Sequence, residues 1–230
     1  MAILYIKTGP AGLVRDNRER KSLYLIDTSG KRVEAIKDCR WRYSYTEGLA
    51  YAFDEQNRAG FIDEQCRTAF VLPTDIKFSI YPAFSEGFLP VYREIGGKKL
   101  YGYLDRTGKV AIDFQFTAAD PFSDGLAAVE QRVTQLKTDG RADTRNFNGY
   151  INSKGKLELT NTRGRTPFKN GLSLQYLHTW TISERPNARN IRGYMNKKGK
   201  YVWLSPGAGV HLTKDWIRQN YIGPDETLKK

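Results

Sequence analysis

The side chains with chemical potential in this 230-residue chain fall into three sets. The first is a column of Asx residues, Asp27, Asp63, Asp105, Asn152 and Asn196, each followed three positions later by Gly or, once, by Cys66. A repeated carboxylate suggests calcium, but a hard cation needs ligand charge, and two of the five are amides. A turn is served by either type: Asp or Asn accepts from the N–H two residues on, and the Gly supplies a positive φ where the next strand begins. Asp27, Asp63, Asp105, Asn152 and Asn196, with Gly30, Gly108, Gly155 and Gly199, are therefore read as structural turn residues, and no metal is expected.

The second set is basic. The residue after each turn is Lys31, Arg67, Lys109, Lys156 or Lys200, and such a row either discourages edge pairing or faces an anion. Late in the chain Arg163, Arg165, Lys169, Arg185, Arg189, Arg192, Lys197, Lys198 and Lys200 interleave with Tyr194, Tyr201 and Trp203. Cations alternating with rings suit single-stranded nucleic acid or another polyanion. Tyr194 belongs to a recurring motif, however, and is expected to face the core.

The third set concerns catalysis, and it is sparse. His178 and His211 have no Cys, Asp or Glu beside them, and Cys39 and Cys66 are the only cysteines. The carboxylate pairs Asp54-Glu55 and Asp63-Glu64 are neighbours in sequence, so on a strand they point to opposite faces. No Gly-x-Ser-x-Gly elbow, Walker loop or His-Glu-x-x-His occurs. The expectation is a protein that is not an enzyme and carries no cofactor.

The elements that must hold these residues repeat. One segment occurs five times, as Tyr24-Leu-Ile-Asp27, Gly60-Phe-Ile-Asp63, Gly102-Tyr-Leu-Asp105, Gly149-Tyr-Ile-Asn152 and Gly193-Tyr-Met-Asn196, each running into its turn. A second segment alternates with it: Glu47-Gly48-Leu49-Ala50, Phe84-Ser-Glu86-Gly87, Phe122-Ser-Asp124-Gly125 and Phe168-Lys-Asn170-Gly171. Aromatic and β-branched residues before the Asx, and short apolar runs after the Gly, make each first segment a β-hairpin. The Gly-Leu segment then opens a third strand. Periods of 36–47 residues mark a repeat architecture.

These two motifs resemble the bacterial WG-repeat family, whose units pair a Trp-Gly-Tyr/Phe-Ile-Asp-x-x-Gly-Lys hairpin with a Phe-x-Glu/Asp-Gly-Leu-Ala segment. The resemblance spans roughly residues 22–204 and departs at the Trp, which is Leu23, Ala59, Tyr101, Asn148 or Arg192 here. It implies a binding or scaffold repeat.

The expected fold is all-β: five units of three antiparallel strands, at about 1–38, 39–74, 75–116, 117–162 and 163–204. They form an open β-solenoid or, alternatively, a closed propeller-like ring. Ile3–Lys7 is taken as the first strand, Thr8–Lys21 as a polar loop, and 131–147 and 180–191 as surface loops. Residues 205–230 are read as a linker and a short capping helix at Leu212–Ile222, with Thr213 as N-cap.

Charge divides the chain. Residues 1–130 hold 18 basic and 18 acidic side chains and residues 131–230 hold 19 and 7, so the whole surplus of +12 sits in the last 100. No apolar run is long enough to span a membrane, and the N-terminus lacks a secretory pattern, so the cytoplasm is the expected compartment. The leading functional expectation is a non-enzymatic module that holds an acidic protein partner through its basic C-terminal repeats. Single-stranded nucleic acid is one alternative and a cognate bacterial toxin, with this chain as its immunity protein, another.

Overall fold

The computed structural model describes residues 45–53, 58–65, 67–78, 82–136, 138–162, 164–177, 191–206, 212 and 214–224, of 136 and 161 the backbone alone. It also describes the backbone of strands at 11–15, 23–27, 32–33 and 40–41. The described strands form five separate open sheets, followed by one short helix. Chain packing divides the molecule into two compact units, Met1–Phe114 and Gln115–Lys230.

The first unit holds three sheets. Strands β1 (Ala11–Arg15), β2 (Leu23–Asp27) and β3 (Arg32–Val33) form the first. The strand paired with β2 thus lies inside the stretch read as a polar loop, while Ile3–Lys7 falls outside the described residues. Leu13 and Val14 lie opposite Leu25 and Tyr24, so a short apolar pair sufficed where Gly and Arg dominate the composition. Strands β4 (Arg40–Trp41), β5 (Leu49–Phe53), β6 (Ala59–Asp63) and β7 (Thr68–Val71) form the second sheet, and β8 (Phe88–Ile95), β9 (Lys98–Asp105) and β10 (Val110–Phe116) the third. Phe61, Phe84, Leu89, Val91 and Leu104 are the buried centre between them.

The second unit holds the fourth sheet, from β11 (Ala118–Ala119), β12 (Ala127–Leu136), β13 (Ala142–Ile151) and β14 (Leu157–Thr162), and the fifth, from β15 (Leu172–Leu177), β16 (Ile191–Asn196) and β17 (Tyr201–Leu204). The expected surface loop at 131–147 is instead mostly hairpin: β12 and β13 pair over ten residues, from Ala127↔Ile151 to Leu136↔Ala142. Its residues are polar, but they alternate in a strand period, and Thr134 and Thr144 hydrogen-bond across the ribbon at 2.9 Å. The other expected loop lies outside the described residues except for Ile191, which opens β16. Helix α1 (Lys214–Asn220) sits within the expected span; Thr213 is outside the described residues. The helix sets Trp216 against Tyr201, ring centroids 5.4 Å apart, on the core side of the fifth sheet.

Two local devices recur in the described repeats from the second sheet onward. The first is the Asx turn. Asp105 Oδ1 accepts from the backbone N–H of Thr107 at 2.8 Å and Lys109 at 3.0 Å, and Gly108 takes φ +81°. Asp63, Asn152 and Asn196 accept from positions two and four residues on in the same way. Asp27 ends β2, and Gly30 is outside the described residues. The second device is a two-residue turn: Glu47, Glu86, Asp124 and Asn170 take φ between +51° and +60°, each followed by a Gly at +78° to +84°. Two successive left-handed residues make a type I′ turn, for which Asn-Gly and Asp-Gly are the favoured pairs. The segment read as a strand opener is therefore itself a minimal hairpin, closed by bridges such as Thr46↔Leu49 and Ser123↔Leu126.

The motif glycine before the aromatic has a different cause. A Cβ at Gly60, Gly102 or Gly149 would lie within 2.5 Å of the carbonyl oxygen of Phe70, Ile112 or Leu159. Register shifts at Phe61/Ile62 and Tyr150/Ile151 bring those carbonyls close, so the glycine admits a bulge.

Candidate functional site

The second and third sheets in the first unit, and the fourth and fifth in the second, are joined by one recurring set of contacts. In the first unit Phe84 packs edge-on to Phe61 at 5.1 Å, and in the second Phe168 packs edge-on to Tyr150 at 4.9 Å. Each is flanked by a polar clasp at the type I′ turns. Glu47 Oε2 accepts from the N–H of Gly87 at 2.9 Å, and Asp124 Oδ2 accepts from the N–H of Gly171. A cation from the next Asx turn completes it: Arg106 donates to the carbonyl of Glu47 at 2.8 Å, and Lys197 lies 3.2 Å from Asp124. The Gly171 N–H and the Lys197 ammonium hold the Asp124 carboxyl below its ordinary value. The Tyr150 hydroxyl donates to the carbonyl of Thr166 at 2.7 Å and meets Ser173 and Gln175, both fully buried. Burial raises its pKa, although those two partners oppose the shift.

This arrangement divides the basic residues picked out by sequence. Arg163, Arg185 and Arg189 lie outside the described residues. Arg165 approaches Asp120 at 3.7 Å, and its Nη1 is buried without a hydrogen-bond partner; burial raises the Asp120 pKa, with Arg165 opposing. Lys197 serves the clasp, and Lys200 Nζ donates to the carbonyl of Gln219 at the C-terminal end of α1, where a cation offsets the helix dipole. Lys169, Arg192 and Lys198 are exposed. Of the residues after the turns, Arg67 is also committed locally, bonding Asp63 at 2.7 Å and Gln65 at 3.1 Å.

The fifth sheet corrects the expectation for its motif aromatic. Phe61, Tyr103 and Tyr150 are fully buried, but Tyr194 is 41% exposed. On β15 and β16 the residues Ser173, Gln175, Ile191, Gly193 and Met195 turn inward, and Leu174, Tyr176, Arg192 and Tyr194 lie on the other face. Tyr194 pairs with Trp203, ring centroids 5.7 Å apart at 53°. Helix α1 packs on the core side of this sheet, against Tyr201. The other face therefore combines three exposed rings, Tyr176, Tyr194 and Trp203, with Arg192 opposite Tyr176.

The hairpin and clasp segments together span one complete repeat at β9 to β12. The family model for the WG-containing repeat matches residues 101–132. Over those residues the chain is similar to that repeat. The match takes in the Gly102-Tyr103-Leu104-Asp105 hairpin and the Phe122-Ser-Asp124-Gly125 turn of that repeat. No curated protein matches the chain.

Two other features carry less. A groove of about 280 Å³ runs along the extended hairpin of the fourth sheet, lined by Val133, Phe147, Leu157 and amides such as Gln131 and Asn148. Its lining has no charged side chain to recognise an ion. Among the described residues no group of His, Cys, Asp and Glu is placed to hold a metal, and no helix is long and apolar enough to cross a membrane.

Proposed function

We propose that this chain is a non-enzymatic, cytoplasmic repeat module that holds a macromolecular partner through anionic groups on that partner, using its fifth unit. The observation that carries the reading is the charge of residues 163–204, where nine basic side chains stand against one acid, Glu184. Fold chemistry accounts for Arg165, Lys197 and Lys200, whereas Lys169, Arg192 and Lys198 are exposed and nothing in the described fold calls for their charge. A like-sign cluster without a structural use is costly through self-repulsion and is the usual footprint of a polyanion site.

The test reverses only those three. The full chain carrying Lys169→Glu, Arg192→Glu and Lys198→Glu should fold as the parent does and elute from immobilised heparin at much lower salt. Elution at unchanged salt, with an unchanged circular dichroism spectrum, overturns the reading.

A further inference from the structure

The motif aromatic is buried by the unit stacked upon it in earlier sheets, whereas in the fifth sheet it is exposed. Phe84 covers Phe61 and Phe168 covers Tyr150. On the fifth sheet Tyr194 stands open beside Trp203, with Tyr176 44% exposed two strand positions along the neighbouring β15 from Leu174, the partner of Tyr194. The cross-strand partner of the motif aromatic is Phe70 in the second sheet and Leu159 in the fourth, and here it is an indole.

Resting on the polyanion reading above, we propose that this face binds single-stranded nucleic acid, with bases stacked on Tyr194 and Trp203 and phosphates held by Arg192. An acidic protein surface would satisfy the cations, but its carboxylates are repelled by the negative faces of the rings. A duplex satisfies the cations and hides its base faces. A single strand presents a π-face and a phosphate at every step, and base–aromatic stacking requires no sequence readout. The charge agrees: net +8 over residues 163–204 gives phosphates a strong field.

The experiment uses the full chain, a labelled oligouridine of about 12 nucleotides, a duplex of matched length, and polyglutamate. Oligouridine should bind, with affinity falling steeply with salt, and should quench tryptophan emission. Tyr194→Ala and Trp203→Ala should each weaken binding about tenfold. Trp203→Phe should keep affinity within about twofold while losing most of the quenching, which separates stacking from misfolding. Equal retention of polyglutamate and oligouridine with no effect of Tyr194→Ala overturns this proposal and leaves the polyanion reading standing. Duplex bound more tightly than single strand also overturns it. Failure of all three probes to bind at low salt overturns both.

Discussion

Tyr150 and Tyr194 occupy the same place in successive repeats, so truncating each in turn measures what stacking does to one residue type. A buried aromatic side chain removes roughly 150–250 Å² from water, an upper estimate of about 4–6 kcal/mol at ~25 cal/mol per Å². Tyr150 is fully buried, its ring is met edge-on by Phe168, and its hydroxyl joins a buried network with Ser173 and Gln175. Tyr150→Ala therefore leaves a cavity and loses those bonds, for a cost of about 4 kcal/mol. Tyr194 is 41% exposed and water fills the space it leaves, so Tyr194→Ala should cost about 1 kcal/mol. With a urea m-value of about 2 kcal/mol/M, the midpoints should fall by about 2 M and 0.5 M respectively. Both residues belong to the same compact unit, so circular dichroism in urea compares them within one transition. Equal falls would refute the reasoning, because they would mean that Tyr194 is as covered as Tyr150 and that the outward face is not a surface at all.

Two further outcomes follow from the turns. A Cβ at Gly108 would collide with the Phe70 ring, whereas Gly87, with nearly the same φ, has nothing within 4 Å; Gly87→Ala should cost about 1 kcal/mol for its left-handed backbone and Gly108→Ala at least ~1 kcal/mol more in thermal or urea unfolding. At Asp105 burial pushes the carboxyl up, but the Thr107 hydroxyl and the N–H groups of Lys109 and Thr107 outweigh it and hold the pKa below its ordinary value. Its stabilisation is therefore present above the unfolded value of about 4 and is lost as pH falls through the lower folded value. Asp105→Asn keeps the acceptor, so its unfolding midpoint should depend less steeply on pH below about 4 than the parent's; identical acid limbs would contradict the assignment.

What the sequence disclosed was whatever a residue does to its own neighbourhood. The Asx turns were legible because the acceptor and both donors lie within five consecutive residues. The type I′ turns were only half legible: Glu-Gly, Asp-Gly and Asn-Gly were noticed as a motif, yet read as the start of a strand, although adjacent left-handed residues are what those pairs favour. The extended hairpin over β12 and β13 was hidden because its polar composition outweighed its alternation. Tyr194 was misplaced for a deeper reason. A motif fixes which face a side chain joins, while burial depends on what is stacked there, and no local pattern reports that the fifth sheet's face is open. In the same way Lys197 and Arg192 look alike in sequence, and only the clasp with Asp124 separates a structural cation from an exposed one.

The Asx column also bears on why the charge lies where it does. Asp105 and Asn152 receive the same two backbone N–H groups at 2.8–3.1 Å, so the turn forms with a carboxylate or an amide as its acceptor. Replacing Asp by Asn in such a turn raises the net charge by one without disturbing a strand. The fourth and fifth units both carry the amide, and the fifth unit has Asn170 where the second and fourth have Glu47 and Asp124 at the type I′ turn. At Asp124 that acid has structural work, accepting from Gly171 and pairing with Lys197. Among the described residues the Asn170 side chain makes no bond like that of Asp124, so the site tolerates loss of the acid. Three positions that hold carboxylates in earlier units are thus amides from Asn152 onward, and each change removes a negative charge from the end where Lys169, Arg192 and Lys198 are exposed. A basic surface at positions where the fold does not require the amide agrees with the proposal that the partner presents anionic groups.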